Sequence, residues 1–151
     1  LTCYDLCFVE LARKYAFVDR VDAVITVSAW RSQALREYPS MNVRTDNYYG
    51  FLWDLMNASK AAYNQVWSLG VNTVGGHAVS GDLFWGGSGV WAPSGLPLVQ
   101  SSNMREELII IHNLNISNFE EKNLVEFNYR MEFNKVYQEI KETYAEPVVL
   151  P

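Results

Sequence analysis

The apolar residues of this chain change their period several times, and those changes limit what it can fold into. Between Phe8 and Val18, Leu11, Tyr15 and Val18 recur at steps of three and four, the spacing of an amphipathic helix. From Val21 to Ser28 the pattern becomes a short run rich in β-branched residues, which predicts a buried strand. A polar stretch from Arg31 to Asp46, interrupted by Pro39, predicts a loop at the mouth of a pocket. A second helix is predicted from about Tyr48 to Ala62, with Phe51, Leu55 and Ala58/Ser59 on one side. Strands are then predicted at Val66 to Asn72, Ser88 to Ala92, Leu96 to Ser101 and Glu107 to Leu114, separated by turns rich in Gly, Ser and Pro. Asn118 to Ala145 has helical composition, with Phe119, Leu124, Phe127, Met131, Val136 and Ile140 set among charges. The chain therefore reads as mixed α and β, without repeats or low-complexity tracts.

Four short blocks sharpen this reading. Cys3-Tyr4-Asp5-Leu6-Cys7-Phe8-Val9-Glu10-Leu11-Ala12 resembles the nucleophile segment of the carbon–nitrogen hydrolase (nitrilase) superfamily, roughly C-Y-D-L-R-F-P-E-L-A. Val24 to Trp30 is similar to the family's next strand, which usually ends in P-x-x-W; Val27 stands where the Pro would be. Asn64 to Gly75 resembles the E-N-Q-V-Y-V-V-A-x-N-x-x-G strand, with both Asn at the expected separation and Tyr63 in place of Glu. Gly86 to Leu98 resembles the G-x-S-x-I-x-x-P-x-G hairpin that follows. The blocks keep the family's order from Leu1 to about Leu98. Within the family, Gly87-Ser88-Gly89-Val90-Trp91-Ala92-Pro93 is also similar to a stretch of the secreted vanins and biotinidase, whereas Phe8 to Arg13 is closer to the general amidase pattern.

The resemblance implies an α+β fold, the αββα sandwich of the nitrilase type, and cleavage of a non-peptide C–N bond in a small amide, ureido compound or nitrile. Such carbons are poor electrophiles. Opening them takes a thiolate, a base that later protonates the leaving nitrogen, and a cation at the developing oxyanion. In the family these are Cys, Glu and Lys. Here Cys3 matches the nucleophile, and the backbone N–H of Tyr4 matches the second oxyanion donor. Trp30 matches a residue at a strand end facing the pocket, where an aromatic wall would hold the substrate. The resemblance implies no metal and no organic cofactor, and a homo-oligomer for the intact parent. It divides the chain into core strands and helices over 1–117 and a helical tail over 118–151, which in relatives often crosses to a neighbouring subunit; a helix packed on its own domain is the competing reading.

The family's Glu and Lys precede its Cys, so with Cys3 as nucleophile they would fall before Leu1. Glu10 cannot replace them, since it matches the motif's own Glu on the following helix. The expectation is that this chain is the C-terminal half of a domain, inactive by itself. A rival reading is a non-catalytic pseudoenzyme or interaction module, supported by the departures at Cys7, where Arg is common, and at Val27 and Tyr63. For Cys3 the competing reading is an inert buried thiol, and for Trp30 an ordinary core residue. Asp5 is expected to tie down the turn through backbone hydrogen bonds.

Composition removes other classes. An apolar share of 49% fits a globular protein with a real core, and a net charge of −5 argues against a nucleic-acid partner, which needs a basic face. The longest apolar runs, such as Leu108 to Ile111, fall far short of the roughly 18–20 residues of a membrane span. The spacing of Cys3 and Cys7 misses the C-x-x-C of redox and zinc motifs. Ser88 fails the G-x-S-x-G elbow because Val90 stands where Gly is required, and His77 and His112 are too isolated for a metal site. Sequons at Asn57 and Asn115 do not fix a compartment; a cytoplasmic protein is the expectation, a secreted one if the vanin resemblance holds.

Overall fold

The structure, a computed structural model, describes residues 1–112 together with Leu114, Ile116, Tyr129, Glu132, Lys135 and Val136. The predicted helical tail from Asn118 to Ala145 lies outside the described residues, apart from those four isolated positions within it.

A 3₁₀ turn over Cys3–Cys7 leads into α1 (Val9–Phe17), then β1 (Ala23–Ser28). A small antiparallel pair, β2 (Arg36–Tyr38) and β3 (Val43–Thr45), occupies the segment expected to be loop. Next come α2 (Tyr48–Asn64), β4 (Trp67–Asn72), β5 (Gly89–Trp91) and β6 (Pro97–Gln100). The main sheet has the order β1-β4-β5-β6. β1 and β4 run parallel, from Ala23 beside Trp67 to Ser28 beside Asn72, and the connection through α2 makes that possible. The other two pairings are antiparallel hairpins. The predicted strand from Glu107 does not form across 107–112. Apolar composition without a neighbouring edge in register leaves that segment as irregular chain.

Ahead of β1, Leu1 and Thr2 add a parallel bridge to its outer edge. The Leu1 ammonium donates to the Ile25 carbonyl at 2.9 Å, and the Val27 N–H donates to the Leu1 carbonyl at 3.1 Å. A proline at position 27 could not make the second bond.

Both helices pack on one face of the sheet. α1 approaches through the small residues Ala12 and Ala16, with Ala16 clustered against Val24 and Val66. α2 turns Gly50, Trp53, Asn57, Lys60, Ala61 and Asn64 inward, at the three- and four-residue steps of a single stripe. The apolar stripe seen in the sequence is therefore the outer one, with Phe51 57% and Leu55 46% exposed. Close packing depends on Gly70, where a Cβ would sit 2.7 Å from the Trp53 ring. α2 ends at Gln65, which takes the left-handed conformation and donates its N–H to the Ala61 carbonyl.

The layer between α2 and the sheet is polar, which the sequence reading did not anticipate. Lys60 Nζ donates to Thr26 Oγ1 at 2.6 Å and to Asn57 Oδ1 at 3.2 Å, and Ser68 Oγ donates to Asn57 Oδ1 at 3.0 Å. Asn57 is fully buried, so its sequon is closed in this fold. No ion pair reaches Lys60 among the described residues. Burial pushes its pKa down to about 7, and a neutral amine has two N–H donors for the two acceptors it meets. On the opposite face, Ile25, Val27 and Val71 are each about half exposed. Residues 107–111 cross beside that face, bounding with Leu69, Ser88 and Val90 a cavity of about 420 Å³.

The Lys60 amine yields a stability prediction. Folded, it releases its proton near 7; unfolded, at the ordinary 10.5. Between these values the unfolded chain holds the extra proton, so the contribution to stability rises with pH across that window and is lowest below it. The thermal midpoint of Lys60→Met relative to wild type is expected to be highest below about pH 7 and to fall by several degrees toward about pH 10. A difference between the two proteins that stays constant with pH contradicts the neutral amine.

Candidate active site

Cys3 stands at the end of the Leu1–Thr2 bridge, where the backbone turns sharply. Its φ of +44° lies in the left-handed region, a conformation that costs a non-glycine residue roughly 1–2 kcal/mol and that clusters at functional sites. The turn is fastened locally. The Asp5 carboxylate accepts the Thr2 N–H at 2.9 Å, and the Asp5 N–H donates to the Thr2 carbonyl at 3.0 Å. Tyr4 follows on the first turn of the 3₁₀ helix, where N–H groups have no partner within the helix. Its side chain points away from the core, 69% exposed, edge-on to Phe8 at 5.3 Å.

Behind the turn lies one apolar cluster. Leu6, Trp30 and Trp53 are buried together, with Cys3, Cys7, Leu52, Met56 and Trp85 packed on them. The structure thus brings Cys3 and Trp30 to the same cluster from segments far apart in sequence. Cys7, one turn on, has its thiol pushed up by burial and by the neighbouring Cys3. It stays protonated at neutral pH and is a poor nucleophile.

Trp30 is only 9% exposed and is fixed at three points. Its N–H donates to Asn72 Oδ1 at 2.7 Å, its indole Nε1 donates to the Tyr49 carbonyl at 2.7 Å, and its carbonyl accepts the Trp85 N–H at 2.9 Å. The ring is tilted 45° against Trp53, with 6.2 Å between centroids. Asn72, at the end of β4, holds this corner. Its amide also donates to the carbonyls of Gly86 at 2.9 Å and Trp30 at 3.3 Å, while its backbone N–H donates to Ser88 Oγ at 2.9 Å. Trp53 Nε1 donates to the Gly87 carbonyl at 2.9 Å. Gly86 turns with φ of +63°, and a Cβ there would meet Val74 at 2.7 Å and the Ser102 carbonyl at 2.9 Å.

The other candidates separate from this cluster. Ser88 Oγ is engaged with the Asn72 backbone and serves the turn. Ser80 Oγ lies 3.1 Å from His77 Nδ1 and 2.9 Å from Asp82, but the hydroxyl bridges the other two on an exposed turn, and the geometry of a triad, with the imidazole between them, is not met. Arg31 pairs with Asp82 at 2.8 Å, and the Ser32 N–H donates to the Leu83 carbonyl at 2.9 Å; together they tie the start of the 31–46 segment to this turn. Burial pushes the Asp54 carboxyl up against the opposing hydrogen bond from Gln100 at 2.9 Å. No group of three or more His, Cys, Asp or Glu suited to a metal ion occurs among the described residues, and no helix there is long and apolar enough to cross a membrane.

Sequence reading recognised Asn72 and Ser88 as motif positions without assigning them a task. It missed Lys60 and took Asn57 only as a sequon, although their place at i+3 and i on the stripe of Trp53 and Asn64 was a usable signal.

Residues 1–122 match the family model described as carbon-nitrogen hydrolase. Nit3 of Saccharomyces cerevisiae, a member of branch 10 of the nitrilase superfamily, is 26% identical over 70% of this chain and 33% of its own, with a TM-score of 0.53. A carbon-nitrogen hydrolase from Helicobacter pylori G27 is 17% identical but covers 99% of this chain and 48% of its own, with a TM-score of 0.67. XC1258 of Xanthomonas campestris, a CN-hydrolase superfamily protein whose structure holds an arsenic adduct in its active site, is 20% identical over 99% and 47%, with a TM-score of 0.61. The chain spans about a third to a half of the length of these solved relatives. No curated protein matches it.

The Asn72 corner can be tested on its own. Truncating its side chain leaves the buried Trp30 N–H and Gly86 carbonyl without partners, at about 1–3 kcal/mol each. Asn72→Ala is expected to lower unfolding free energy in guanidinium by roughly 2–4 kcal/mol. A loss below about 0.5 kcal/mol, the range of an ordinary surface change, contradicts the role given to it.

Proposed function

The chain belongs to the carbon–nitrogen hydrolase family, and from that membership we propose that it supplies the nucleophile-bearing part of an enzyme that opens a C–N bond in a small amide, ureido compound or nitrile. The observation that carries this reading is Cys3 itself: a partly exposed thiol on a strained turn, held by the Thr2–Asp5 bonds, beside the Trp30 cluster.

In the proposed mechanism the Cys3 thiolate attacks the carbonyl or nitrile carbon. For an amide, the tetrahedral oxyanion receives the Tyr4 N–H, ammonia or an amine leaves, and a thioester remains on Cys3 until water cleaves it. Trp30 supplies an apolar wall for the substrate. The Glu base and the Lys cation that the family places before its Cys would come from outside this chain, so the reading assigns catalysis to a longer parent and oligomerisation to that parent too. The half-exposed face of Ile25, Val27 and Val71 supports this, as the side on which the second sheet of an αββα sandwich would pack. The vanin-like branch, with a pantetheine-type substrate, has no support beyond the hairpin motif.

Two expectations follow from the chemistry. In the parent, Cys3→Ala abolishes ammonia release and Cys7→Ala keeps most of it, and iodoacetamide labels Cys3 ahead of Cys7 as read by peptide mass mapping. Faster labelling of Cys7 overturns the nucleophile assignment. The 151-residue chain alone is expected to release no ammonia from simple amides, because losing an oxyanion donor costs on the order of 10²–10³ in rate and losing acid–base help about 10²–10⁴ more. Ammonia release by the chain alone that depends on Cys3 contradicts the assignment of Glu and Lys to another segment.

A further inference from the structure

A buried hydroxyl with nothing to bond to lies beside Cys3. The ladder at the start of the chain sets the neighbours: Thr2 pairs in parallel with Val27, so the next residues along, Cys3 and Ser28, stand side by side on strands roughly 4.8 Å apart. Alternation gives them the same face. Thr2 and Val27 are exposed, while Leu1 packs on Ala16, Val24 and Val66, and Cys3 packs on a cluster that includes Trp53 of α2. Ser28 belongs to the inward set of β1 with Val24 and Thr26 and is only 7% exposed. Its Oγ has no hydrogen-bond partner.

The other groups around Ser28 are committed. Its neighbour in register on β4 is Asn72, whose carboxamide is taken by Trp30 and Gly86. One step back along the same face, Thr26, Lys60, Asn57 and Ser68 bond one another. The Ser28 carbonyl receives the Thr73 N–H and Oγ1, which leaves its hydroxyl out. On the remaining side stands the Cys3 sulfur. A neutral thiol is a weak acceptor and leaves the hydroxyl unbonded, as it is in the structure; a thiolate is a strong one, and a serine O–H turns about a single side-chain bond.

We propose that Ser28 is a positioning residue for Cys3, taken as the nucleophile proposed above: beside it on the buried face of the ladder, the Ser28 hydroxyl donates to the Cys3 thiolate and favours that form over the thiol. The ionisable groups on the turn and on the helix packed against it are the Leu1 ammonium, Tyr4, Asp5, Cys7, Asp54 and Lys60. All six remain when Ser28 is replaced, so a change in the behaviour of Cys3 reports the hydroxyl.

The experiment follows the rate of iodoacetamide labelling of Cys3 against pH, by peptide mass mapping of the full chain, in wild type, Ser28→Ala and Ser28→Thr. Losing one hydrogen bond to a charged group is expected to move the midpoint of the Ser28→Ala profile up by about one pH unit. The plateau above the rise should not fall, because every Cys3 is then thiolate. Ser28→Thr keeps the hydroxyl and should keep the wild-type midpoint; if threonine does not fit, the Ser28→Ala profile decides alone. Since the hydroxyl bonds to nothing while Cys3 is a thiol, Ser28→Ala should leave the thermal midpoint below the rise unchanged or higher. An unshifted profile in Ser28→Ala overturns the proposal. So does a lower plateau together with a lower thermal midpoint, the signature of a residue that only holds the fold. Turnover of Cys3→Ala in the parent judges the nucleophile separately: a dead variant with an unshifted profile removes the role of Ser28 alone, whereas a live one removes the nucleophile and this role with it.

Discussion

The Asn72 carboxamide is the contact on which the arrangement around Cys3 depends. It sits at the end of β4, takes the Trp30 N–H from the loop after β1, and gives its own N–H groups to the Trp30 and Gly86 carbonyls. One buried side chain thereby joins the ends of two parallel strands to the turn that starts the β5 hairpin. It adds to the bonds from the Thr73 N–H and Oγ1 to the Ser28 carbonyl, at 3.1 and 3.3 Å, which tie the same strand ends. With the corner closed, Trp30 packs on Trp53 and Leu6, and Leu6 anchors the short helix that begins at Cys3.

A second constraint lies one layer away. The space between α2 and the sheet is filled by Thr26, Asn57, Lys60 and Ser68, bonded to one another, in place of an apolar core. Such a network fixes α2 in register as well as in position, since sliding the helix would leave buried polar atoms unpaired. Burial favours the neutral amine there, whose two N–H groups match the two acceptors it meets. Cys7 shows the reverse case: burial beside Cys3 keeps its thiol protonated, so one residue type takes different environments within a single turn.

Much of this was legible in the residues. The period changes located both helices and the strands at Ala23–Ser28, Trp67–Asn72, Gly89–Trp91 and Pro97–Gln100 to within a few positions, because β-branched runs and Gly/Pro turns act locally. The Asp5 bonds to the Thr2 backbone agree with what the motif implied. Facing was not legible. α2 carries an apolar stripe through Phe51 and Leu55, and a polar one through Asn57 and Lys60, and the polar stripe goes inward because Thr26 and Ser68 on the sheet offer it partners. The same holds for Glu107 to Ile111, whose composition suits a strand but which pairs with no edge. In both places the outcome depends on partners supplied by distant parts of the chain.

The central claim is that Cys3 becomes acylated, and the direct measurement is the mass of the parent enzyme quenched in acid during turnover of a simple amide. The account predicts a population heavier by the acyl group, mapping to the peptide that contains Cys3 and released by hydroxylamine, as a thioester is. An adduct on any other residue, or turnover without an adduct on Cys3 under conditions where hydrolysis is rate-limiting, would contradict it.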